Sequence, residues 1–408
     1  MQQIDYVINE ANASVSAIVN GQHYPLPALW LRERCQDSEN LDKTTKQRFF
    51  DPHQLDENVS LTKVEKKHNT LANLTFSDGY SGEYDLNEFA ADFDVWDGAP
   101  NDIAWKSDVD KSLFHIDLAT LKSQEGLIKG IEIFLTYGVL IVDNVPTESD
   151  AVLEVANLFG HVRETNFGKY FEVFTRPNSN DLAYRSVPLG PHTDNPYRNP
   201  MPGIQLLHCL ENQTTEGLST LVDSLSVLEQ LKKEDPEGFA LLCKVPVRYR
   251  YYDNDVDLIE RRTMIESDPS GRITGIAYSP RLDYLPLLQD EDMIIFHRAR
   301  KRLGQLLCSP EYEWRFRLEP GQLQMFHNTR VLHGRTGFDP SEGRRHLQGA
   351  YIDIDAPKGR YNALKRKQSS IRIQDELEAE NTNGEFKIVN SKATAETAET
   401  AETAEMRG

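Results

Sequence analysis

Apolar positions along the chain fall into three successive patterns. Up to about residue 100 they alternate with polar ones over short runs, as in Val15-Ser16-Ala17-Ile18-Val19 and Leu71-Ala72-Asn73-Leu74-Thr75-Phe76. Side chains that change face at every residue give a strand with one buried side, so this stretch predicts a small unit built largely from strands. Asp78-Gly79 after the second run is a hairpin-turn dipeptide. The Gly-Ala-Pro-Asn stretch at 98–101 is a break. Between about 101 and 365 strand-like runs occur at 203–208, 219–222, 247–252, 272–278, 314–318, 322–326 and 346–354. Helical spacing interrupts them at 151–159, 224–243 and 291–308. Thr147 and Asp150 resemble a cap for the first of these helices and Gly160 a stop. Many short strands with few helices predict a mainly β fold, a jelly roll or double-stranded β-helix, preceded by the small α+β unit. The third pattern, from 366 to 408, is polar and ends in repeats of Thr-Ala-Glu from Thr394 to Glu405. No helical phase of that repeat has an apolar face, which predicts an acidic disordered tail.

Composition narrows the function classes. The 408 residues are 39% hydrophobic and 27% charged, enough for a sizeable core. A net charge of −19 argues against nucleic acid and anionic membranes as partners, since both reward basic faces. No apolar run approaches the ~20 residues that span a bilayer. Met1-Gln2-Gln3-Ile4-Asp5 has neither the basic start nor the apolar core of a secretory signal. The four cysteines, Cys35, Cys209, Cys243 and Cys308, form no CxxC pair, so neither a disulfide framework nor a cysteine zinc site is expected. A cytoplasmic location is expected.

The chemistry concentrates in His192-Thr193-Asp194 and in His333, within His327-Asn328-Thr329-Arg330-Val331-Leu332-His333-Gly334-Arg335. Two imidazoles and a carboxylate are the donor set of the facial triad that holds Fe(II) and leaves positions open for dioxygen. On a strand, an H-x-D pair would turn both side chains to one face. Alone, H-x-D is common by chance, and His192 and Asp194 then read as a surface histidine and a turn before Pro196. His333 and Arg345 reverse that balance. His208, His327 and His346 compete with His333 as ligands, but His208 lies within an apolar run and His327 lacks the Gly-Arg that follows His333. Arg345 begins a core-like strand, so one of Arg344 and Arg345 must point inward. A guanidinium there could grip the far carboxylate of a 2-oxo acid in bidentate fashion.

With these residues in order, the chain resembles the gamma-butyrobetaine hydroxylase and trimethyllysine hydroxylase family of Fe(II)/2-oxoglutarate dioxygenases. The likeness runs from about 10 to 360. It includes Leu29-Trp30-Leu31-Arg32, Arg163-Glu164-Thr165-Asn166-Phe167-Gly168, Asp181-Leu182-Ala183-Tyr184, Pro202-Gly203-Ile204-Gln205-Leu206-Leu207-His208-Cys209 and Arg345-His346-Leu347-Gln348-Gly349-Ala350-Tyr351. The resemblance implies that His192, Asp194 and His333 bind iron, that Arg345 holds 2-oxoglutarate beside Leu207, and that Phe167, Phe171, Tyr184 and Tyr351 form an aromatic cage for a trimethylammonium group. Each aromatic is equally well a core residue taken singly. Dioxygen and a small trimethylammonium zwitterion are the partners implied, with gamma-butyrobetaine, hydroxylated to carnitine, first. The family forms dimers through its first domain, so a homodimer is implied.

Two departures matter. The family's first domain commonly binds zinc, but here Cys35 is accompanied by Asp37, Asn40 and Tyr80 at the other ligand positions, so no zinc is expected. At the anionic end of the substrate, Asp181 and Arg281 stand where the family commonly offers neutral amides, with Asn195, Tyr197 and Arg198 as nearby donors. A full charge at Arg281 suits a more highly charged anion, which makes 2-(trimethylamino)ethylphosphonate an alternative substrate. Arg281 could instead pair with Asp283 or Asp181. A divalent-metal hydrolase and a non-catalytic betaine-binding jelly roll are the alternatives of other classes.

Overall fold

The computed structural model describes residues 4–93, 100–175 and 185–368. The chain divides into two compact units, residues 1–98 and 99–408.

The first unit holds two three-stranded antiparallel sheets. One is built from Ile4–Asn9, Ser14–Val19 and Gln22–Pro25, the other from Leu61–Lys66, Leu71–Phe76 and Ser81–Asp85. Asn20 and Gly21, with φ of 51° and 79°, close the hairpin that pairs Val19 with Gln22; positive φ at both central residues matches the twist of the strands they join. Alternation places Ala72, Leu74 and Phe76 on one face, where they pack with Leu31, Tyr84 and Phe89.

The second unit is a jelly roll. Its larger sheet runs in the order His115–Asp117, Val139–Asp143, Leu323–His327, Ile204–Asn212, Arg345–Ile352, Phe171–Phe174. Its smaller sheet runs Leu189–His192, Val331–Arg335, Ser219–Asp223, Trp314–Phe316. The period-two rule sorts each strand into two cores. Leu140, Val142, Ile204 and Leu206 face outward onto the helices Gln124–Tyr137 and Ala151–Phe159. Val139, Ile141, Leu207 and Phe326 face inward and meet Leu221, Val331 and Trp314 of the smaller sheet. Val222 and Leu332 point out of the smaller sheet toward a third cluster with Val227, Leu231, Phe296 and Leu303.

Several details differ from the sequence pattern. The helix expected at 224–243 is two helices, Ser224–Glu234 and Pro236–Lys244. Pro236 cannot continue the first, and the Asp235 side chain accepts from Gly238 N to begin the second. Gln124–Tyr137, absent from the pattern reading, is a full helix: the Ser123 hydroxyl accepts from Gly126 N, and Gly138 ends it at φ 71°. Asp150 makes no side-chain cap. Residues 355–368 are helical, so 366–368 are not part of a tail, and the rest of the expected disordered tail lies outside the described residues. All four cysteines are free. No described helix is long and apolar enough to cross a membrane.

Candidate metal centre and its pocket

His192 and His333 are brought together by pairing. Their strands are antiparallel neighbours in the smaller sheet with His192 opposite His333, and the rings lie 4.3 Å apart. Asp194 is not strand-borne: its strand ends at His192, and the next residues form a turn. The turn is pinned from two sides. Thr193 N donates to Tyr278 O at 2.7 Å, and Tyr278 N donates to the Thr193 hydroxyl at 3.0 Å. Asn328, fully buried, accepts from Asp194 N at 2.7 Å and donates to Asp194 O at 2.9 Å. Asn195 then takes φ 53°.

The result is a cluster in which the ligand atoms of His192, Asp194 and His333 all lie within 4.8 Å of one another. Asp194 Oδ1 is 3.4 Å from His192 Nε2 and 3.8 Å from His333 Nε2. The His333 separation is too wide for a hydrogen bond, and both suit donors gathered about one cation. His192 Nδ1 is 2.9 Å from Gly190 O. A carbonyl only accepts, so Nδ1 carries the hydrogen and Nε2 turns its lone pair inward, the usual support for a metal-binding imidazole. Burial, then the neighbouring His192, lowers the His333 pKa to about 3. Burial pushes the Asp194 carboxyl up, but His333, His192 and the Tyr351 hydroxyl outweigh it and hold the acid well below the usual range. Neutral imidazoles and an ionised carboxylate are the forms that bind metal. The donor set therefore fits a ferrous ion with open positions.

The other histidines lie apart. His327 ends its strand, stacks on Phe134, and is half-buried. His208 is fully buried on the outward face, and His346 pairs with Glu172.

Arg345 opens the central strand Arg345–Ile352 and is buried, while Arg344 is exposed and lies 3.6 Å from Glu211. Arg345 Nε donates to Gly217 O at 3.1 Å. A Cβ on Gly217 would sit 3.1 Å from Arg345 Cδ, and its φ is +70°, so glycine is required for that approach. Burial lowers the Arg345 pKa to about 10, which leaves it charged at neutral pH. The pocket joining Arg345 to the triad is lined from both sheets and includes Leu207, Gln205, Gln324 and Arg335. Gln205 and Gln324 carry side-chain oxygens that are buried without partners. Arg335, two residues beyond His333 on one strand face, donates to the carbonyls of Arg185 and Val187. Burial, then the Arg345 charge, lowers its pKa to about 9. Sequence reasoning missed Arg335, Gln205 and Gln324. The period of two, counted from His333 and Leu207, was the signal that could have found Arg335 and Gln205.

An aromatic row leads away from Asp194. The Tyr351 hydroxyl donates to Asp194 Oδ2 at 2.7 Å. Ring centroids follow at 5.1 Å from Tyr351 to Phe171, 6.4 Å from Phe171 to Phe167, 5.9 Å from Phe167 to Tyr251 and 5.0 Å from Tyr251 to Tyr197. Gly349 makes room for it, since a Cβ there would meet Phe171 at 2.3 Å. Tyr251 is an addition to the sequence-derived cage; it sits on the inward side of Val247–Tyr252, where Tyr249 is also buried. Tyr184 and Asp181 lie outside the described residues.

The donors expected for an anion are only partly free. Tyr197 donates its hydroxyl hydrogen to Asn195 Oδ1 at 2.6 Å, which removes it as a ready donor. Asn195 Nδ2 is buried without a hydrogen-bond partner and lies beside the Tyr351 hydroxyl. Arg198 donates to Asn166. Arg281 is exposed, and its charge reaches both His333 and Arg335. It does not pair with Asp283, which is held by Arg300 at 2.6 Å.

In the first unit, the positions expected to lack zinc ligands have closed on themselves. The Tyr80 hydroxyl donates to Asp37 Oδ2, Asn40 Nδ2 donates to Asp37 Oδ1 at 2.9 Å, and an Arg32 nitrogen lies 3.7 Å from Cys35 Sγ. This donor set does not fit a structural zinc ion.

The chain is similar to several known proteins. The model described as "Taurine catabolism dioxygenase TauD, TfdA family" matches residues 104–351, and "Gamma-butyrobetaine hydroxylase-like, N-terminal" matches 17–88. A gamma-butyrobetaine dioxygenase from Pseudomonas sp. (strain AK-1) is 30% identical over 354 residues, spanning 85% of this chain and 92% of its own. A mitochondrial trimethyllysine dioxygenase from Homo sapiens is 29% identical over 346 residues, 80% of each chain. Among solved structures, an asparagine oxygenase aligns over 58% of this chain and 82% of its own, with 17% identity and a TM-score of 0.46.

Proposed function

Because the chain belongs to the TauD/TfdA dioxygenase family, we propose that it hydroxylates an aliphatic C–H bond of a small trimethylammonium zwitterion, gamma-butyrobetaine first. The protein is an Fe(II)/2-oxoglutarate-dependent dioxygenase. Iron, 2-oxoglutarate and dioxygen supply the oxidation: one oxygen atom enters succinate, the other the product alcohol, and CO2 leaves.

In this reading His192, Asp194 and His333 hold the iron, and Arg345 receives the far carboxylate of 2-oxoglutarate against Leu207. Arg335 adds a second positive charge to the same pocket, which favours a dianion over a neutral ligand. Gly190 O, Asn328 and the Thr193–Tyr278 pair fix the ligands before anything binds, so little reorganisation is needed. Val173, Leu189, Leu207 and Leu347 supply the apolar part of the pocket lining.

The observation that carries the substrate class is the aromatic row that begins at Asp194 and runs through Tyr351, Phe171, Phe167 and Tyr251. Ring faces attract a quaternary ammonium by about 0.5–2 kcal/mol per contact, without requiring a hydrogen-bond donor. The named activities of the relatives, on gamma-butyrobetaine and trimethyllysine, belong to the same substrate class. A second reading, 2-(trimethylamino)ethylphosphonate, is favoured by Arg281, which adds a full positive charge near His333.

Succinate formation with iron, measured across gamma-butyrobetaine, trimethyllysine and the phosphonate, tests both. Turnover with gamma-butyrobetaine supports the first reading, turnover with the phosphonate alone the second. Coupled turnover with none of the three would overturn the substrate class.

A further inference from the structure

Tyr351 belongs to the aromatic row by its ring, but its hydroxyl has a separate task. We propose that Tyr351 is a positioning residue for the metal: by occupying Asp194 Oδ2 it leaves Oδ1 as the single carboxylate ligand and keeps the adjoining coordination place open for 2-oxoglutarate. The inference rests on the reading of His192, Asp194 and His333 as the ligands.

The two oxygens of Asp194 have different surroundings. Oδ2 accepts the Tyr351 hydroxyl at 2.7 Å. Oδ1 faces the two imidazoles, 3.4 Å from His192 Nε2 and 3.8 Å from His333 Nε2. A free carboxylate can chelate a cation through both oxygens. Here that would consume a place that the chelating co-substrate and dioxygen must share. A hydrogen bond to one oxygen, from a donor that cannot follow the metal, opposes that mode.

Both partners of this bond are held. Asn328 clamps the Asp194 backbone through its N and O, which fixes the point from which the carboxylate reaches. Tyr351 lies on a central strand opposite Gln205. Its carbonyl accepts from Arg163 N at 2.8 Å, and its ring rests against Phe171. The hydroxyl is therefore delivered to Oδ2 by the sheet rather than by a flexible loop. The same geometry joins the cage to the metal ligand through one side chain.

The test uses the full chain carrying Tyr351→Phe, which keeps the ring and removes the donor. Anaerobic titration with Fe(II), or with Mn(II) as a redox-silent probe, reads metal affinity. The charge-transfer absorption of the ferrous co-substrate complex reads 2-oxoglutarate affinity. Loss of an outer partner of a ligand lowers metal affinity roughly 10–100-fold, and Tyr351→Phe is expected at the lower end, with a further drop in 2-oxoglutarate affinity. Metal and co-substrate affinities unchanged within about twofold would overturn the proposal. Phe171→Leu disturbs the ring contact but keeps the hydroxyl, and is expected to retain wild-type metal affinity. An equal loss in Phe171→Leu would assign the effect to packing and overturn the proposal. Asp194→Ala separates the levels: metal binding that survives it sinks the ligand assignment itself, whereas a silent Tyr351→Phe beside a metal-free Asp194→Ala sinks only the inference about Tyr351.

Discussion

Two clusters in this chain bring together side chains from distant positions in patterns that suggest a metal, and only one is built for it. In the second unit, ligand atoms of His192, Asp194 and His333 converge, and the His192 hydrogen is committed outward to Gly190 O. The three ligand atoms lie within 4.8 Å of one another, a set that one cation can satisfy. In the first unit, Asp37 is the acceptor of a hydroxyl from Tyr80 and an amide from Asn40, and the cluster is complete without an ion. The difference lies in where the hydrogens point. Donor hydrogens aimed inward make a structural network; donor hydrogens aimed outward leave a ligand set.

The largest expected effect sharpens this contrast. Asp194→Ala removes the only anion of the triad and should abolish Fe(II) binding, measured by anaerobic titration, while leaving the first unit's unfolding unchanged. Next is Arg345→Met, which should lower 2-oxoglutarate affinity by roughly 30-fold or more, since losing one partner of a buried charge pair costs about 2–5 kcal/mol; iron affinity without co-substrate should stay near wild type. In the first unit, Asp37→Ala should destabilise by about 1–3 kcal/mol in chemical denaturation, the cost of stranding polar partners, with no change in iron affinity.

Acid should distinguish the first-unit cluster too. Burial raises the Asp37 pKa, but hydrogen bonds from Tyr80, Asn40 and the Glu39 and Asn40 amides outweigh it and hold it below 3.8. A depressed folded-state pKa gives stability that is present above the unfolded value and lost as pH falls through the folded one. Asp37→Asn should therefore lose less stability than wild type as pH drops below about 4. The smallest effect concerns chelation. A chelator should stop turnover but leave the unfolding of residues 1–98 unmoved. A chelator-induced drop in that transition would mean that the hydrogen-bonded cluster holds a metal after all.

Much of the fold was legible because strand alternation is a local property. Leu207 against Leu206 in the run 203–208, or Phe326 against Met325 in 322–326, are sorted to opposite faces by position alone, whereas the strand Val139–Asp143 was missed. The helix Gln124–Tyr137 was overlooked although Ser123 and Gly138 mark both its ends, and the split at Asp235-Pro236 was written in the proline itself. The site was legible where a short motif carried it. His192 and Asp194 are two residues apart, but their convergence depends on a turn fixed by Asn328 and Tyr278, which no spacing announces. Tyr251 joins the aromatic row from a hairpin outside the two main sheets. Its place depends on the tertiary path of that hairpin, and local pattern gives only its inward face.

The most direct test of the central claim is an anomalous-difference map from crystals grown anaerobically with Fe(II) and 2-oxoglutarate. The expected result is one iron peak bounded by His192 Nε2, Asp194 Oδ1 and His333 Nε2, with the far carboxylate of 2-oxoglutarate against the Arg345 guanidinium. An iron peak away from those three atoms, or a co-substrate that leaves Arg345 untouched, would contradict it.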